Sequence, residues 1–291
     1  MPKGMIIKAL SGYYYVMNDN GIFQCRGRGN FRKRKLTPLV GDEVEFQAEN
    51  KTDGYVLSIL ERKNELIRPP IANIDQALLI FSARRPTFST HLLDRFLVHI
   101  EANDILPIIC LSKSDLTDSD DEIKEALEAY RQVGYCVLET SSINETGLEA
   151  VLEIFENKVT VIAGQSGVGK STLLNTLNPE LKLETNEISD HLGRGKHTTR
   201  HVELIPFGEG FVADTPGFSS LDFIDIEWID LSLYFPEIRE RRPSCKFRGC
   251  THTSEPKCAV KAALENDEIA QFRYDHYLHF LQEIKDQKRR Y

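Results

Sequence analysis

No run of about eighteen consecutive apolar residues occurs in this 291-residue chain, which excludes a membrane-spanning helix. The first residues, MPKGMIIKALSGYYYV, lack a signal-peptide layout. Their apolar stretch is short and alternating, and no small-residue cleavage site follows. The chain is therefore expected in the cytosol. Internal repeats and long low-complexity segments are also missing, so the length divides among about two or three ordinary domains. Hydrophobic residues at 41% and charged residues at 27% fit a soluble globular protein.

Cysteine is sparse outside one cluster. Cys25, Cys110 and Cys136 lie scattered in strand-like, mostly apolar contexts and read as buried, reduced thiols. Acid is missing from CRGRGNFRKRK, which holds Arg26, Arg28, Arg32, Lys33, Arg34 and Lys35. The net charge of −8 argues against nucleic acid, but its distribution argues for it. Residues 1–68 carry 12 basic and 8 acidic side chains, a balance of +4, which leaves −12 for the remainder. A basic loop on a small domain can contact RNA phosphates, although a merely solvated loop has the same composition.

Three regions differ in pattern. Residues 1–68 show short alternating runs (MIIKAL, GYYYVMN, VEFQAE, GYVLSIL) separated by turn residues, which predicts a small closed barrel of the OB type, with the basic run as a loop between strands. Residues 69–221 alternate apolar strands with amphipathic helices, the signature of a mainly parallel sheet covered on both faces. Residues 222–291 contain a Cys/His cluster and a helical tail. The expected fold is multidomain α/β: an OB barrel, a P-loop domain and a mainly helical metal-binding region.

Gly164, Gln165, Ser166, Gly167, Val168, Gly169, Lys170 and Ser171 match G-x-x-x-x-G-K-[ST], between a strand (VTVIA) and a helix (STLLNTL) that opens Ser171-Thr172. The glycines let backbone N–H groups face phosphate oxygens. Lys170 can reach the β- and γ-phosphates, and the Ser171 hydroxyl suits Mg²⁺. Asp214, in Val-Ala-Asp-Thr-Pro-Gly217, can hold the Mg²⁺ shell, and Gly217 can offer its N–H to the γ-phosphate.

Ser112-Lys113-Ser114-Asp115 follows an apolar strand and resembles the guanine-reading element Asn/Thr-Lys-x-Asp. There the Asp accepts two hydrogen bonds that only guanine supplies, which rejects adenine. Ser112 stands where Asn is usual and reaches less far. Thr140-Ser141-Ser142 looks like the second base-reading element. GTP is therefore favoured over ATP. Both elements precede the phosphate loop, the reverse of the ordinary order, so the domain is circularly permuted.

Gly193-Arg194-Gly195-Lys196-His197-Thr198-Thr199-Arg200 lies where a switch belongs. Thr199 is the candidate for the second Mg²⁺ hydroxyl, with Thr198 as the alternative. Phe218 follows Asp-Thr-Pro-Gly where many GTPases carry a water-orienting Gln. Intrinsic hydrolysis is thus expected to be slow. His197 is the candidate to position water once a partner orders the loop; the alternative is an exposed loop histidine. Cys245, Cys250, His252 and Cys258 form C-x4-C-x-H-x5-C, three thiolates and an imidazole suited to one closed, structural Zn²⁺ site. Reduced thiols beside a histidine are the alternative.

SKSD ahead of GQSGVGKS, then GRGKHTTR, DTPGF and the Cys/His spacing, behind an N-terminal barrel, resemble the RsgA/YjeQ family of small-subunit-dependent GTPases. The likeness covers nearly the whole chain. It implies late maturation of the 30S ribosomal subunit, contact with 16S rRNA, and GTP hydrolysis to GDP stimulated by that subunit. It also implies the OB barrel, the Ras-like sheet and the zinc site. Nothing in the sequence points beyond a monomer. Two other classes remain: an RNA-binding adaptor that holds GTP with negligible turnover, and a P-loop ATPase or kinase, in which Lys113 and Asp115 would be idle.

Overall fold

The computed structural model describes residues 1–28, 31, 36–67, 69–117, 121–181, 202–214 (Asp214 by its backbone alone) and 221–288. The expected switch residues His197, Thr198 and Thr199, Gly217 and Phe218, and the basic Arg32, Lys33, Arg34 and Lys35 lie outside them.

The first strands are β1 (Lys3–Leu10), β2 (Tyr13–Asn18), β3 (Gly21–Gly27), β4 (Glu43–Ala48) and β5 (Gly54–Ile59). They pair in the order β1-β2-β3-β5-β4, and β4 pairs back onto β1, so the sheet closes. Strand alternation sends Ile6, Val16, Cys25, Val44, Phe46 and Val56 inward, all at 0–1% exposure. A register shift between Ile6 and Lys8 bends β1, as closure of so small a barrel requires. This is the OB-type barrel the alternation predicts. One detail differs: Arg26 lies on β3 and not in a loop, because Cys25 beside it fills the barrel core.

A clip of β6 (Glu65–Leu66) and β7 (Ile71–Ala72) leads out of the barrel. Then follow β8 (Gln76–Ser82), α1 (Thr90–Glu101), β9 (Leu106–Ser112), α2 (Asp121–Val133), β10 (Cys136–Thr140), α3 (Leu148–Ile154), β11 (Val159–Ala163), α4 (Lys170–Leu177), β12 (Glu203–Phe207) and β13 (Gly210–Asp214). The order β10-β9-β8-β11-β13-β12 is parallel except for β12, a hairpin partner of β13. Every residue of β8 is buried, which explains its unbroken apolar sequence: helices cover both faces. Each fully buried Leu or Ile there contributes about 1.5–3 kcal/mol. Helix α1 starts where the Ser89 side chain accepts from the Leu92 N–H, and its Leu93, Phe96, Leu97 and Ile100 stripe faces the core.

Barrel and parallel sheet are continuous through β1 and β12, joined at Lys8 and Glu203, whose side chains meet at 2.7 Å. Cys25 and Cys110 are buried as expected, but Cys136 is exposed, since it opens the edge strand β10. The C-terminal region holds α5 (Pro236–Arg239), α6 (Ala259–Glu265) and α7 (Gln271–Lys288). The expected single helical tail is two helices, because α6 is capped at Asn266 and Asp267 turns left-handed at φ 57°. No helix among the described residues is long and apolar enough to cross a membrane.

Candidate functional site

The parallel strands end together. Ser82, Ser112 and Thr140 are aligned in register across β8, β9 and β10, and β11 and β13 run alongside. Ligands of open α/β sheets bind at this carboxyl edge. Gly164 leaves β11 with φ 148°, and a Cβ there would lie 2.1 Å from the Ile80 carbonyl oxygen, so only glycine fits. Gly167 and Gly169 also take positive φ (81° and 97°) and curl the chain into α4. The first N–H groups of α4 have no partner within the helix and face the loop, an arrangement suited to phosphate. Lys170 Nζ donates to the carbonyls of Gly164 (2.9 Å) and Gln165 (2.7 Å), and its burial lowers its pKa. Phosphate oxygens would reverse that shift by compensating the charge.

Two of the base-reading candidates, Ser112 and Lys113, are bonded to this loop. Ser112 Oγ donates to the Val168 carbonyl at 2.5 Å and lies 3.2 Å from that of Phe81. Lys113, left-handed at φ 57°, donates from Nζ to the carbonyls of Gly167 (3.0 Å) and Arg85 (2.8 Å). Ser141 Oγ donates to Asp115 Oδ1 at 2.6 Å, and it accepts from the Asn144 N–H. The structure therefore brings Ser112 and Lys113 to the phosphate loop and joins Asp115, two residues further along, to Ser141, with Ser142 next in the chain. Ser171 and Thr172 open α4. Asp214 ends β13 at the same edge.

Sequence reasoning missed two things here. Ser112 points at the phosphate loop and not toward a base, and the Arg85 backbone completes the seat of Lys113. Neither partner is near in sequence, so no local signal marks them.

The second cluster is compact. The ligand atoms of Cys245, Cys250, His252 and Cys258 all lie within 4.8 Å of one another and could hold a metal ion. His252 Nδ1 is 3.6 Å from Cys245 Sγ and 3.4 Å from Cys258 Sγ, and the two sulfurs are 4.0 Å apart. Bonds of about 2.3 Å to sulfur and about 2.0 Å to nitrogen around a tetrahedral ion give edges close to these. Burial lowers the His252 pKa and so keeps the imidazole in its neutral, ligating form. Without a cation, burial and the neighbouring Cys258 push the Cys250 thiol up to about 12, so the cluster as a ligand set demands positive charge. Helix α7 supports the loop: Tyr274 and Tyr277 hydroxyls donate to the carbonyls of His252 (2.6 Å) and Thr251 (2.9 Å).

Helix α7 is attached to α1 through buried charges. Arg273 donates to Asp94 at 2.5 Å and, through two nitrogens, to Glu237 at 2.7 and 3.1 Å. Tyr130 (2.6 Å) and His276 (2.6 Å) also reach Asp94. Burial opposes the guanidinium charge, but the two carboxylates outweigh it and hold its pKa well above the usual value.

Comparisons with known proteins agree with this geometry. The family model described as RsgA GTPase matches residues 59–224, and the RsgA N-terminal domain model matches residues 3–56. Proteins named small ribosomal subunit biogenesis GTPase RsgA from Halalkalibacterium halodurans and Bacillus subtilis are 68% and 62% identical, over 100% of this chain and 99% and 100% of theirs. The crystal structure of YloQ, a circularly permuted GTPase, superposes with a TM-score of 0.86 at 56% identity, covering 99% of this chain and 96% of that one. YjeQ from Thermotoga maritima does so at 0.86 and 36%, covering 97% and 98%. A phosphate loop placed behind its base-reading elements, on a sheet that continues into an OB barrel, thus has full-length counterparts, and the chain belongs to the RsgA GTPase family of circularly permuted GTP hydrolases.

Proposed function

We propose that this GTPase acts late in maturation of the small (30S) ribosomal subunit, in the cytoplasm and as a monomer, and that the subunit stimulates its hydrolysis. The reading follows the names of relatives at 62–68% identity along the whole chain. The observation that carries the chemistry is the bonding of Ser112 and Lys113 to the phosphate loop beside the hydrogen-bonded pair of Asp115 and Ser141. In this reading Asp115 selects guanine, Lys113 lies along the base plane, and Ser141 and Ser142 complete the base seat. The backbone of residues 164–169 and Lys170 hold the phosphates. Ser171 and Thr199 hold Mg²⁺, with Asp214 behind it, and Gly217 senses the γ-phosphate. The Cys/His cluster holds one structural Zn²⁺. The functional units are residues 1–68, which contact 16S rRNA, 69–221 and 222–291.

Phe218 cannot orient water, so the proposed role of His197 is to position it once the subunit orders the switch segment. The test is GTP turnover by the purified protein alone, with 30S subunits and with 50S subunits. Stimulation by 30S alone is expected, and His197→Ala should keep GTP affinity while losing the stimulated rate. Equal rates in all three conditions would refute the subunit-gated reading. A His197→Ala variant that is stimulated normally would refute the role of the histidine.

A further inference from the structure

Residues 221–226 follow the Asp-Thr-Pro-Gly motif closely in the chain and are pinned against α1. Arg95 Nη1 donates to the Leu221 carbonyl at 3.2 Å. Phe223, 1% exposed, stacks on His99 with ring centres 5.2 Å apart, and the Arg95 guanidinium lies 4.6 Å from its ring centre. Ile226, also buried, closes a turn by donating its N–H to the Phe223 carbonyl at 3.2 Å. Ile224 stands between these two anchors and is 71% exposed. Its exposure therefore belongs to a fixed turn. Ile67, beside the buried Leu66 of the clip, is 65% exposed. The two isoleucines, far apart in the chain, line one groove of about 340 Å³ together with Asp222 and Asp225, and His99 forms part of its wall.

A single exposed isoleucine is ordinary, but two that frame one concave groove mark an interaction site. The charge around them has one sign. Residues 201–238 hold eight Asp and Glu and no Lys or Arg, and both Asp222 and Asp225 are exposed at the groove. The cations nearest to it are engaged: Arg95 with Glu283 at 2.8 Å and Arg239 with Glu101 at 3.0 Å. Burial lowers the His99 pKa, so its imidazole adds no positive charge at neutral pH. Such a surround repels the phosphates of RNA and attracts Lys and Arg. The groove is at the small end for a drug-sized ligand and suits one apolar side chain that anchors a longer segment.

We propose that this groove docks a basic protein segment, with one large apolar side chain seated between Ile67 and Ile224 and flanking Lys or Arg on Asp222 and Asp225. That the segment belongs to a protein of the small subunit rests on the proposed function. The partner would hold the stretch of chain that leads from Asp-Thr-Pro-Gly to the C-terminal region.

The test uses the full-length protein and two probes. The first is a fluorescein-labelled model peptide, Lys-Arg-Leu-Lys-Lys-Ile-Arg-Lys, read by anisotropy. Ile67→Ser combined with Ile224→Ser should weaken its binding about tenfold, and the corresponding pair of Leu substitutions should not. Asp222→Asn with Asp225→Asn should flatten the salt dependence, which the serine pair leaves as it is. Both isoleucines are exposed, so GTP affinity and the thermal midpoint should stay unchanged and certify folding. The second probe is the purified 30S subunit, irradiated with the Ile224→p-benzoylphenylalanine variant. The expected product joins position 224 to a Lys- and Arg-rich protein segment. A product with 16S rRNA alone, or with a second copy of this chain, overturns the proposal, as does native peptide binding by the serine pair. If the serine pair binds peptide and subunits as the native chain does, the groove fails and the small-subunit reading stands. If the native chain ignores 30S subunits while the peptide effects hold, the groove stands and that reading fails.

Discussion

The nucleotide edge of the sheet and the seam between α1 and α7 both bury polar groups, yet they are held together differently. At the edge, side chains from contiguous motifs bond to backbone carbonyls: Ser112 to Val168, Lys113 to Gly167, Lys170 to Gly164. Each bond can be lost without leaving a bare charge. At the seam, the Arg273 guanidinium is shared between the Asp94 and Glu237 carboxylates, all at most 5% exposed, from distant parts of the chain. Removal of Arg273 strands both carboxylates in a medium that cannot solvate them. Changes at the edge should therefore alter nucleotide handling at small cost in stability, and changes at the seam should do the opposite.

The largest effect expected lies on the seam side of this contrast, at the metal cluster. A metal ion on this cluster would fold a loop too small to have its own core, and without it three clustered thiols repel one another once ionised. Chelation should therefore loosen residues 222–291 first. Trp228 is the sole tryptophan of the chain and packs on the C-terminal core, so its fluorescence reports that region. The expected order is a change in Trp228 emission and protease cleavage after residue 221, with GTP binding retained. Loss of GTP binding together with the emission change and the cleavage would show that the nucleotide edge depends on the cluster.

Next in size is Arg273→Met, which keeps volume but abandons Asp94 and Glu237. A loss of about 3–5 kcal/mol in the stability of the C-terminal region is expected, read by denaturant unfolding at Trp228. Replacing Asp94 and Glu237 as well by apolar residues should recover much of it, because the uncompensated carboxylates cause most of the loss. A single variant costing less than about 1 kcal/mol would mean that water reaches the network.

These two regions also differ in how far the sequence discloses them. Gly164–Ser171, Asp115 and Cys245–Cys258 stand out in the sequence as candidates because phosphate, guanine and metal each require particular groups within a few consecutive residues. The barrel and parallel sheet are legible through periodicity, which is also local. Arg273 and Asp94 are 179 positions apart, and neither looks unlike a surface charge in its own segment. Cys136 was expected inside because strand residues around it are apolar; the edge position of β10 decides its exposure, and edge position belongs to topology. The exposed Ile224 is similarly silent, since an isoleucine in a mixed apolar and acidic run reads as core or surface until its burial is known.

The smallest effect is expected at Ser112. Ser112 is 6% exposed, and its hydroxyl joins the base-reading loop to the phosphate loop across 56 positions. A serine in place of the usual asparagine suggests weaker purchase on the base. The geometry assigns it a different task, which is to hold the base seat and the phosphate seat at a fixed separation. Ser112→Ala removes one neutral hydrogen bond worth about 1 kcal/mol and leaves no charge behind. GTP and GDP affinities should both fall roughly fivefold, since about 1.4 kcal/mol corresponds to tenfold. Preference for guanine over adenine should persist, because the Asp115 carboxylate is untouched and Ser141 still donates to it. Thermal unfolding at Trp228 should not move. Isothermal titration with GTP, GDP and ATP measures all three affinities. A loss of base preference without a loss of affinity would return Ser112 to a base-reading role, and a shift at Trp228 would show that the two regions are coupled through the sheet.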